Sequence, residues 1–425
     1  MRRLDVLALA FAAALAIAAC GQRALSPSAA PEPGPRGRLS LSALLGVTAD
    51  DGYERALAPR PFVFPDDDGS HAGFRSEWWY FTGVLHTPDG AGARRFGYEM
   101  TIFRQALAPR ATPRASAWAT RDVYMGHFAI TDVDGARGGG SDATGDPRFH
   151  AHERFARDGL ALAGARAQPF AVWVDDWRMD GPAIGGPLPV HLSARDDDGA
   201  AIELDVGAEG AGIGQPIAEG DRGLSVKGPA PGNASYYYSR ASLATRGHVT
   251  LPAASAASPG LAVSFTVLGQ SWMDREWSTG ALGAAVRGWD WLGVHLSDGR
   301  DLMMYRLRDA DEKATAASRI TVIAPPSAAR ERGVRSYAAD RFALTPIDVW
   351  TSAQSGARYP VSFGLDVPDE KIHLVVRPLL VDQELRLAVL YWEGAVSLSG
   401  TADGAAISGE GYLELTGYGG GQRQR

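Results

Sequence analysis

Two short segments concentrate acids among aromatic rings: Phe74-Arg75-Ser76-Glu77-Trp78-Trp79-Tyr80-Phe81 and Ser271-Trp272-Met273-Asp274-Arg275-Glu276-Trp277. If both are extended, successive side chains alternate between faces. Glu77, Trp79 and Phe81 then share one face of the first, with Trp78 and Tyr80 on the other. Trp272, Asp274 and Glu276 share one face of the second. Trp289-Asp290-Trp291 and the run Tyr236-Tyr237-Tyr238 add further rings. A carboxylate among indoles is costly unless it is paired or protonated. Burial raises its pKa, which keeps a proton donor available near neutral pH. Ring faces also stabilise a carbocation through their quadrupole. An acid so placed can protonate an alkene and shelter the cation until water captures it. The structural alternative is that Arg75 pairs with Glu77, Arg275 with Asp274 or Glu276, and the tryptophans are core.

Other chemistries find less support. The chain contains no G-x-S-x-G elbow, H-E-x-x-H, P-loop or dinucleotide fingerprint, and Gly269-Gln270-Ser271-Trp272-Met273 lacks the second glycine of a nucleophile elbow. An ester hydrolase would have no identifiable nucleophile. His150-Ala151-His152 on a strand aims two imidazoles one way, which is compatible with a metal if His71, His127 or His295 supplies a third ligand. Gly138-Gly139-Gly140-Ser141-Asp142 reads as a hairpin tip rather than a phosphate cradle, because no helix follows it.

Strands must position these residues. The 425 residues include 45% hydrophobic and 21% charged, an ordinary globular composition long enough for two domains. Gly 51 and Pro 26 exceed the roughly 12% of average usage, which favours many short strands over long helices. The net charge of −7 removes a basic footprint for nucleic acid, and apart from Lys227, Lys313 and Lys371 every basic residue is arginine. Period-two runs occur at Ile202–Val206, Val263–Val267 and Leu385–Tyr391, and residues 311–319 are the best short helix candidate. Turn signals stand at Pro88-Asp89-Gly90, Asp198-Gly199, Ser297-Asp298-Gly299 and Asp403-Gly404. An internal echo, Glu77-Trp78 and Glu276-Trp277 each leading to a strand that ends in arginine, suggests a duplication. The Ala/Ser/Pro-rich stretch Pro252–Gly260 would then be the boundary. The fold class expected is all-β, two antiparallel β-barrel domains with few short helices, over residues 61–250 and 251–425.

The N-terminus reads as an export signal. Arg2-Arg3, the apolar run Val6–Ala19 and small residues before Cys20 form a signal peptide over residues 1–20, too short to span a bilayer. A small-residue pair directly before the single cysteine matches a bacterial lipobox, with Cys20 the lipidation site. Residues 21–60 are a Pro/Ala/Ser/Gly-rich tether and lead-in, with a short helix expected at Leu41–Gly46. The expectation is a lipoprotein anchored through its N-terminal lipid at the periplasmic face, with Gly21 pointing to the outer membrane.

Longer motifs carry a resemblance. Phe64-Pro65-Asp66-Asp67-Asp68-Gly69-Ser70-His71 leads into FRSEWWYFTG. Gly126-His127-Phe128-Ala129, HAHERFAR at 150–157 and Tyr236-Tyr237-Tyr238-Ser239 follow. SWMDREW at 271–277, GWDWLGVHL into DGRDLMMYRLR at 288–308, YWEGAV at 391–396 and GYLELTGY at 411–418 complete the set. From about residue 60 onward the chain resembles the AttH-like, hydroxyneurosporene synthase (carotenoid 1,2-hydratase) family, also labelled predicted secreted hydrolases. The resemblance implies two lipocalin-like barrels with a pocket near their junction and an apolar, isoprenoid or lipid-like ligand. It implies no metal and no organic cofactor. By this resemblance Asp274 is the acid, with Glu276 and Trp277 adjoining it; Glu276 or Glu77 is expected to assist, and Trp78, Tyr80, Tyr237, Trp272, Trp277, Trp289 and Trp291 to bind substrate. Asp68 and Arg275 stand where the family pattern has histidine, and Arg275 beside the acid is expected to favour its ionised form. Two functions follow: a cofactor-independent enzyme adding water to an apolar substrate, or hydrolysing or isomerising it, or a non-catalytic carrier of an apolar ligand at the membrane.

Overall fold

The structure, a computed structural model, describes residues 52–419 apart from 89–92, 111–115, 117–118, 135–148, 208–213, 253–261, 284 and 326–332. Cys20, the tether, the Leu41–Gly46 helix, the Gly138–Asp142 loop and most of Pro252–Gly260 lie outside these residues. The described residues contain no α-helix. Strands β1 (Ser76–His86), β2 (Arg95–Ala106), β3 (Asp122–Asp132), β4 (Phe149–Arg157), β5 (Ala163–Ala167), β6 (Phe170–Val174) and β7 (Trp177–Asp180) open a 13-stranded antiparallel sheet. It continues with β8 (Val190–Arg195), β9 (Ala201–Val206), β10 (Ile217–Ala218), β11 (Leu224–Val226), β12 (Ala234–Leu251) and β13 (Val263–Ser278). Its order is β4-β3-β2-β1-β13-β12-β9-β8-β7-β6-β5, with β10 and β11 also on β12.

The second sheet has ten strands. They are β14 (Gly288–Leu296), β15 (Asp301–Arg308), β16 (Arg319–Ile323), β17 (Val334–Ala338), β18 (Ala343–Thr351), β19 (Arg358–Val367), β20 (Ile372–Pro378), β21 (Glu384–Arg386), β22 (Leu390–Ala402) and β23 (Ala405–Leu415). The order is β17-β16-β15-β14-β23-β22-β20-β19-β18, with β21 on β22. The first sheet is a nearly closed barrel and the second a half-barrel, a lipocalin-like all-β fold.

Three expectations change. The helix at 311–319 is absent: Lys313 N–H donates to Asp309 Oδ1 at 3.0 Å in a turn, and β16 begins at Arg319. The alternating run Leu385–Tyr391 is a tight hairpin rather than one strand, since Arg386 pairs with Leu390. The boundary at 251 fails because β13 belongs to the first sheet, between β1 and β12, so the change of sheet falls after Ser278. The two Glu-Trp motifs accordingly do not head two barrels; they face each other, Glu77 opposite Trp277 and Trp78 opposite Glu276.

Each sheet encloses its own apolar core. Trp79, Phe81, Phe96, Tyr98, Phe128 and Trp177 fill the first, and Leu292, Tyr359, Phe363, Trp392 and Leu413 the second. A third cluster, including Tyr80, Tyr237, Trp272, Trp291, Tyr305 and Tyr412, lies where the outer faces of the sheets meet. Polar bonds cross that junction: Thr131 Oγ1 donates to Gln383 Oε1 (2.7 Å), Ser242 Oγ to Asp301 Oδ2 (2.5 Å) and Thr321 Oγ1 to Glu219 Oε2 (2.8 Å). Gly97 permits the closest approach, because a Cβ there would sit 2.7 Å from Ala395 Cβ on β22. Neither atom can rotate away, so Gly97→Ala forces the sheets apart. We expect it to cost about 1–3 kcal/mol, read as a lower urea midpoint with unchanged far-ultraviolet circular dichroism.

Candidate active site

Alternation along three adjacent strands turns one set of side chains out of the first barrel: Trp78 and Tyr80 of β1, Tyr237 and Ser239 of β12, and Trp272, Asp274 and Glu276 of β13. The facing side chains come from β14 (Trp289, Trp291), β15 (Tyr305, Leu307), β22 (Tyr391, Glu393) and β23 (Glu414). Between them is a cavity of ≈ 790 Å³, counted out to its open mouth. Rings and aliphatic chains make most of its wall, and Lys227, Asp274, Glu276, Glu393 and Glu414 are the charged or ionisable carboxyl and ammonium groups in it.

Asp274 is buried and accepts three hydrogen bonds. Tyr237 Oη donates to Oδ2 at 2.5 Å, and Ser239 Oγ and Trp272 Nε1 donate to Oδ1 at 2.6 and 2.7 Å. Burial pushes its pKa up to about 6, helped by the Glu276 charge and opposed by the three donors. At pH 7 a group of pKa about 6 is ionised roughly ten to one, and three donors suit that form. Tyr237 couples the two sheets here, because its oxygen also accepts from Trp291 Nε1 at 3.1 Å. Glu276 lies 3.4 Å from Lys227 Nζ, itself 4.0 Å above the Tyr305 ring.

The opposite wall holds a different carboxyl chemistry. Glu393 and Glu414 are direct cross-strand partners, a like-charged placement that opposes double ionisation. Glu393 is buried, and Glu414 is partly open to the cavity. Burial, then the charges of Glu99 and Glu414, hold Glu393 well above the ordinary carboxylate range. Burial also raises Glu414 to about 8, against the Trp289 indole and with Asp274 and Glu276 adding to the rise. Behind them Glu99 is fully buried, and burial lifts it to about 8, opposed by Thr101 and helped by the Glu414 charge. Tyr80 Oη donates to Glu393 Oε1 at 2.5 Å, and Tyr391 is hydrogen-bonded to the same carboxyl. His127 Nδ1 lies 2.7 Å from Tyr391 Oη, and burial depresses this histidine to about 3, so it is neutral.

Of the expected site residues, Asp274, Glu276, Trp78, Tyr80, Tyr237, Trp289 and Trp291 line the cavity. Trp272 stands behind Asp274 as its donor. Glu77 and Trp277 do not belong to the site, since they point to the opposite face of their strands. Glu77 is fully buried against Arg104 and Arg275 and accepts from Ser70 Oγ at 2.7 Å. Burial opposes its ionised form, but the two guanidiniums and His71 hold its pKa well below the ordinary range, which excludes a proton-donor role. Trp277 stacks on His71, ring centres 3.8 Å apart. Arg275, adjacent to Asp274 in sequence, therefore faces away from it and pairs with Glu77, contrary to the expected pairing with Asp274 or Glu276; Arg104 fills the place expected of Arg75. Asp68 accepts from Tyr238 Oη (2.6 Å) and Arg240 Nη2 (3.0 Å) in the same layer. None of the three histidines considered as a third metal ligand joins His150 and His152. His71 faces Asp67 and Glu77, His127 faces Tyr391, and His295 lies 2.5 Å from Asp301.

The sequence reading missed Lys227, Ser239, Glu99, Glu393 and Glu414. A signal existed for Glu393 and Glu414: each is a single acid within a short run of apolar and aromatic residues, in YWEGAV and GYLELTGY.

A lipocalin-like barrel joined to a half-barrel, with an acid-lined aromatic cavity at the junction, is the class this geometry defines. The family model for AttH-like proteins matches residues 55–418, and the chain belongs to that family. A crystal structure of a Nitrosomonas europaea protein assigned to AttH shares 30% identity, covers 85% of this chain and 100% of its own, and superposes with a TM-score of 0.66. Kievitone hydratase from Nectria haematococca shares the fold at 15% identity, covering 86% of this chain and 97% of its own, with a TM-score of 0.56. No protein with a curated function matches the sequence.

Two measurements test these electrostatics. Tyr237→Phe removes one donor from ionised Asp274 and should raise its pKa by about 1–2 units in a ¹³C carboxyl titration; an unchanged value would show that the bond does not stabilise the charge. For Glu99, raised from 4.5 to about 8, the native state holds a proton that the unfolded state has lost. Its contribution therefore declines as pH rises from about 4.5 to about 8 and is constant outside that window. Glu99→Gln should flatten the pH dependence of the unfolding free energy, read by urea titration, by up to about 1.4 kcal/mol per pH unit.

Proposed function

We propose that the cavity is the active site of a cofactor-independent enzyme that adds water to an apolar, isoprenoid or lipid-like substrate. The observation that carries this reading is the divergence of two carboxyl environments on facing walls. The Glu393–Glu414 pair retains a proton at neutral pH, while Asp274 is ionised and held by three donors. Hydration of an alkene needs both: Glu393 gives its proton to one carbon, the surrounding rings stabilise the cation, and Asp274 takes a proton from the water that attacks the other. The new C–H and C–O bonds replace the π bond, and one proton passes from Glu393 to Asp274 per turnover, to be returned through solvent. This reverses the role first expected of Asp274, from donor to acceptor.

Lys227 beside Glu276 supplies the polar end of an otherwise apolar cavity and suits a substrate that bears one oxygen function. The hydratase named among the structural neighbours shares the fold with this chain, and the reading of water addition rests on the site rather than on that likeness.

The test incubates the full-length protein with an apolar lipid extract in H₂¹⁸O and follows label by mass spectrometry. Label should enter one component with the wild type, and Glu393→Gln and Asp274→Asn should each reduce its rate by about 10²–10⁴-fold. If a lipid is instead retained unchanged by wild type and both variants, the protein is a carrier. For the active enzyme kcat/KM should be bell-shaped. It falls below about pH 6 as Asp274 is protonated and falls again in the alkaline range, well above the ordinary carboxylate value, as Glu393 loses its proton.

A further inference from the structure

The polar end of the cavity carries hydrogen-bonding capacity that the protein itself does not use. Lys227 directly follows β11, and its backbone is fixed: its N–H donates to the Asn233 carbonyl at 2.8 Å, and Asn233 Nδ2 donates to the Gly280 carbonyl at 2.9 Å. The Lys227 side chain is only 8% exposed and that of Glu276 7%, and both line the cavity. Nζ lies 3.4 Å from Glu276 Oε1, 4.0 Å from the Tyr305 ring centre and 5.0 Å from that of Tyr237. The Tyr305 ring is held in its turn, because its hydroxyl shares a 2.9 Å hydrogen bond with Ser225 Oγ.

An ammonium brings three N–H donors, and a carboxylate brings acceptors alone. A charge-assisted N–H···O bond spans about 2.7–2.9 Å. The 3.4 Å contact is therefore a loose ion pair, and among the described residues neither Nζ nor the Glu276 carboxylate has a closer polar contact. Buried ionic groups are costly until their hydrogen bonds are made. A hydroxyl completes both at once. Its oxygen fits about 2.8 Å from each partner across the gap, accepting from Nζ and donating to Glu276. An ether or ketone would serve Nζ alone. A carboxylate would meet the charges of Glu276 and Asp274 on one wall, an ammonium would meet Lys227, and a hydrocarbon would satisfy neither group.

The register places this end relative to the reacting centre. Glu276 and Asp274 share one face of β13, opposite Trp78 and Tyr80 of β1 respectively. We propose that Lys227 and Glu276 form a hydroxyl-binding subsite, and that the substrate is an apolar alcohol held there by its oxygen. Two residues along a strand advance about 6–7 Å, so the double bond that faces Asp274 lies about five to six bonds from that oxygen. The substrate class rests on the reading of the cavity as a hydration site; the subsite itself rests on the unfilled donors and acceptors.

The experiment measures equilibrium binding to the full-length protein through quenching of the cavity tryptophans Trp78, Trp289 and Trp291. The probes are farnesol, its methyl ether, the hydrocarbon with hydrogen in place of the hydroxyl, and farnesoic acid. Farnesol should bind about 10–100-fold more tightly than the hydrocarbon, and the ether, which accepts but cannot donate, should fall between them. Lys227→Met should abolish this preference while leaving the hydrocarbon affinity nearly unchanged. Glu276→Gln removes a like charge and should tighten farnesoic acid binding by about 10-fold. Near-ultraviolet circular dichroism identifies a variant that fails to fold, and the wild-type preference tests the subsite without either variant. Equal wild-type affinity for farnesol and the hydrocarbon, or a preference that survives in folded Lys227→Met, would overturn the subsite. Binding needs no turnover, so the two readings fail separately. Isotope incorporation without hydroxyl preference removes the subsite alone, and hydroxyl-selective binding without incorporation removes hydration alone.

Discussion

A carboxyl group taken out of water with no cation and too few hydrogen-bond donors in reach has to keep its proton, because the cost of an isolated buried charge exceeds that of protonation. Glu99, Glu393 and Glu414 are in that position together. Among the described residues no guanidinium or ammonium pairs with them, and neighbouring carboxylates add to the rise of each. Glu77, on the other face of β1, shows the converse: with two guanidiniums against it, it stays ionised despite complete burial. The protonation of these four carboxyls follows from which of them the arginines reach, and the cavity lies where they do not.

The alternation of β13 makes this separation possible. Met273, Arg275 and Trp277 serve the first barrel and its layer of ion pairs, while Trp272, Asp274 and Glu276 serve the junction. Arg275 touches Asp274 in sequence and is withheld from it in space, so the charge that would have pulled Asp274 down acts on Glu77 instead. Asp274 is left to three neutral donors, which explains why its shift is moderate where that of Glu393 is large.

The site exists only where both sheets meet. Tyr237 of β12 and Trp291 of β14 share a hydrogen bond, as do Tyr80 of β1 and Glu393 of β22. Each pair sets a carboxyl of one wall through a ring of the other, so movement between the sheets would change the acid and the base together. The AttH-like family match spans residues 55–418 and so includes both sheets, as a cavity of this construction requires.

Much of this was legible in one dimension. Period-two alternation determined the strands at Ile202–Val206 and around Glu77 and Asp274. It also placed Trp78, Tyr80, Asp274 and Glu276 on the faces they occupy, because side-chain direction along a strand depends only on counting. Alternation does not say what lies opposite a face. Glu77 and Asp274 looked equivalent as acids among indoles until pairing brought Arg104 and Arg275 to one and Tyr237, Ser239 and Trp272 to the other. Glu393 and Glu414 stand more than 100 residues from Asp274 and reach the same cavity only because β22 and β23 pair with each other and pack against β1 and β2. The low-complexity stretch near 252–260 was misleading as a boundary for a related reason. Composition marks where the chain loops out, whereas membership in a sheet depends on which backbone the next strand finds to hydrogen-bond. The sequence by itself determined the strands and the direction of their side chains; the tertiary structure decided which acids would meet a cation or a set of donors, and so which would hold a proton.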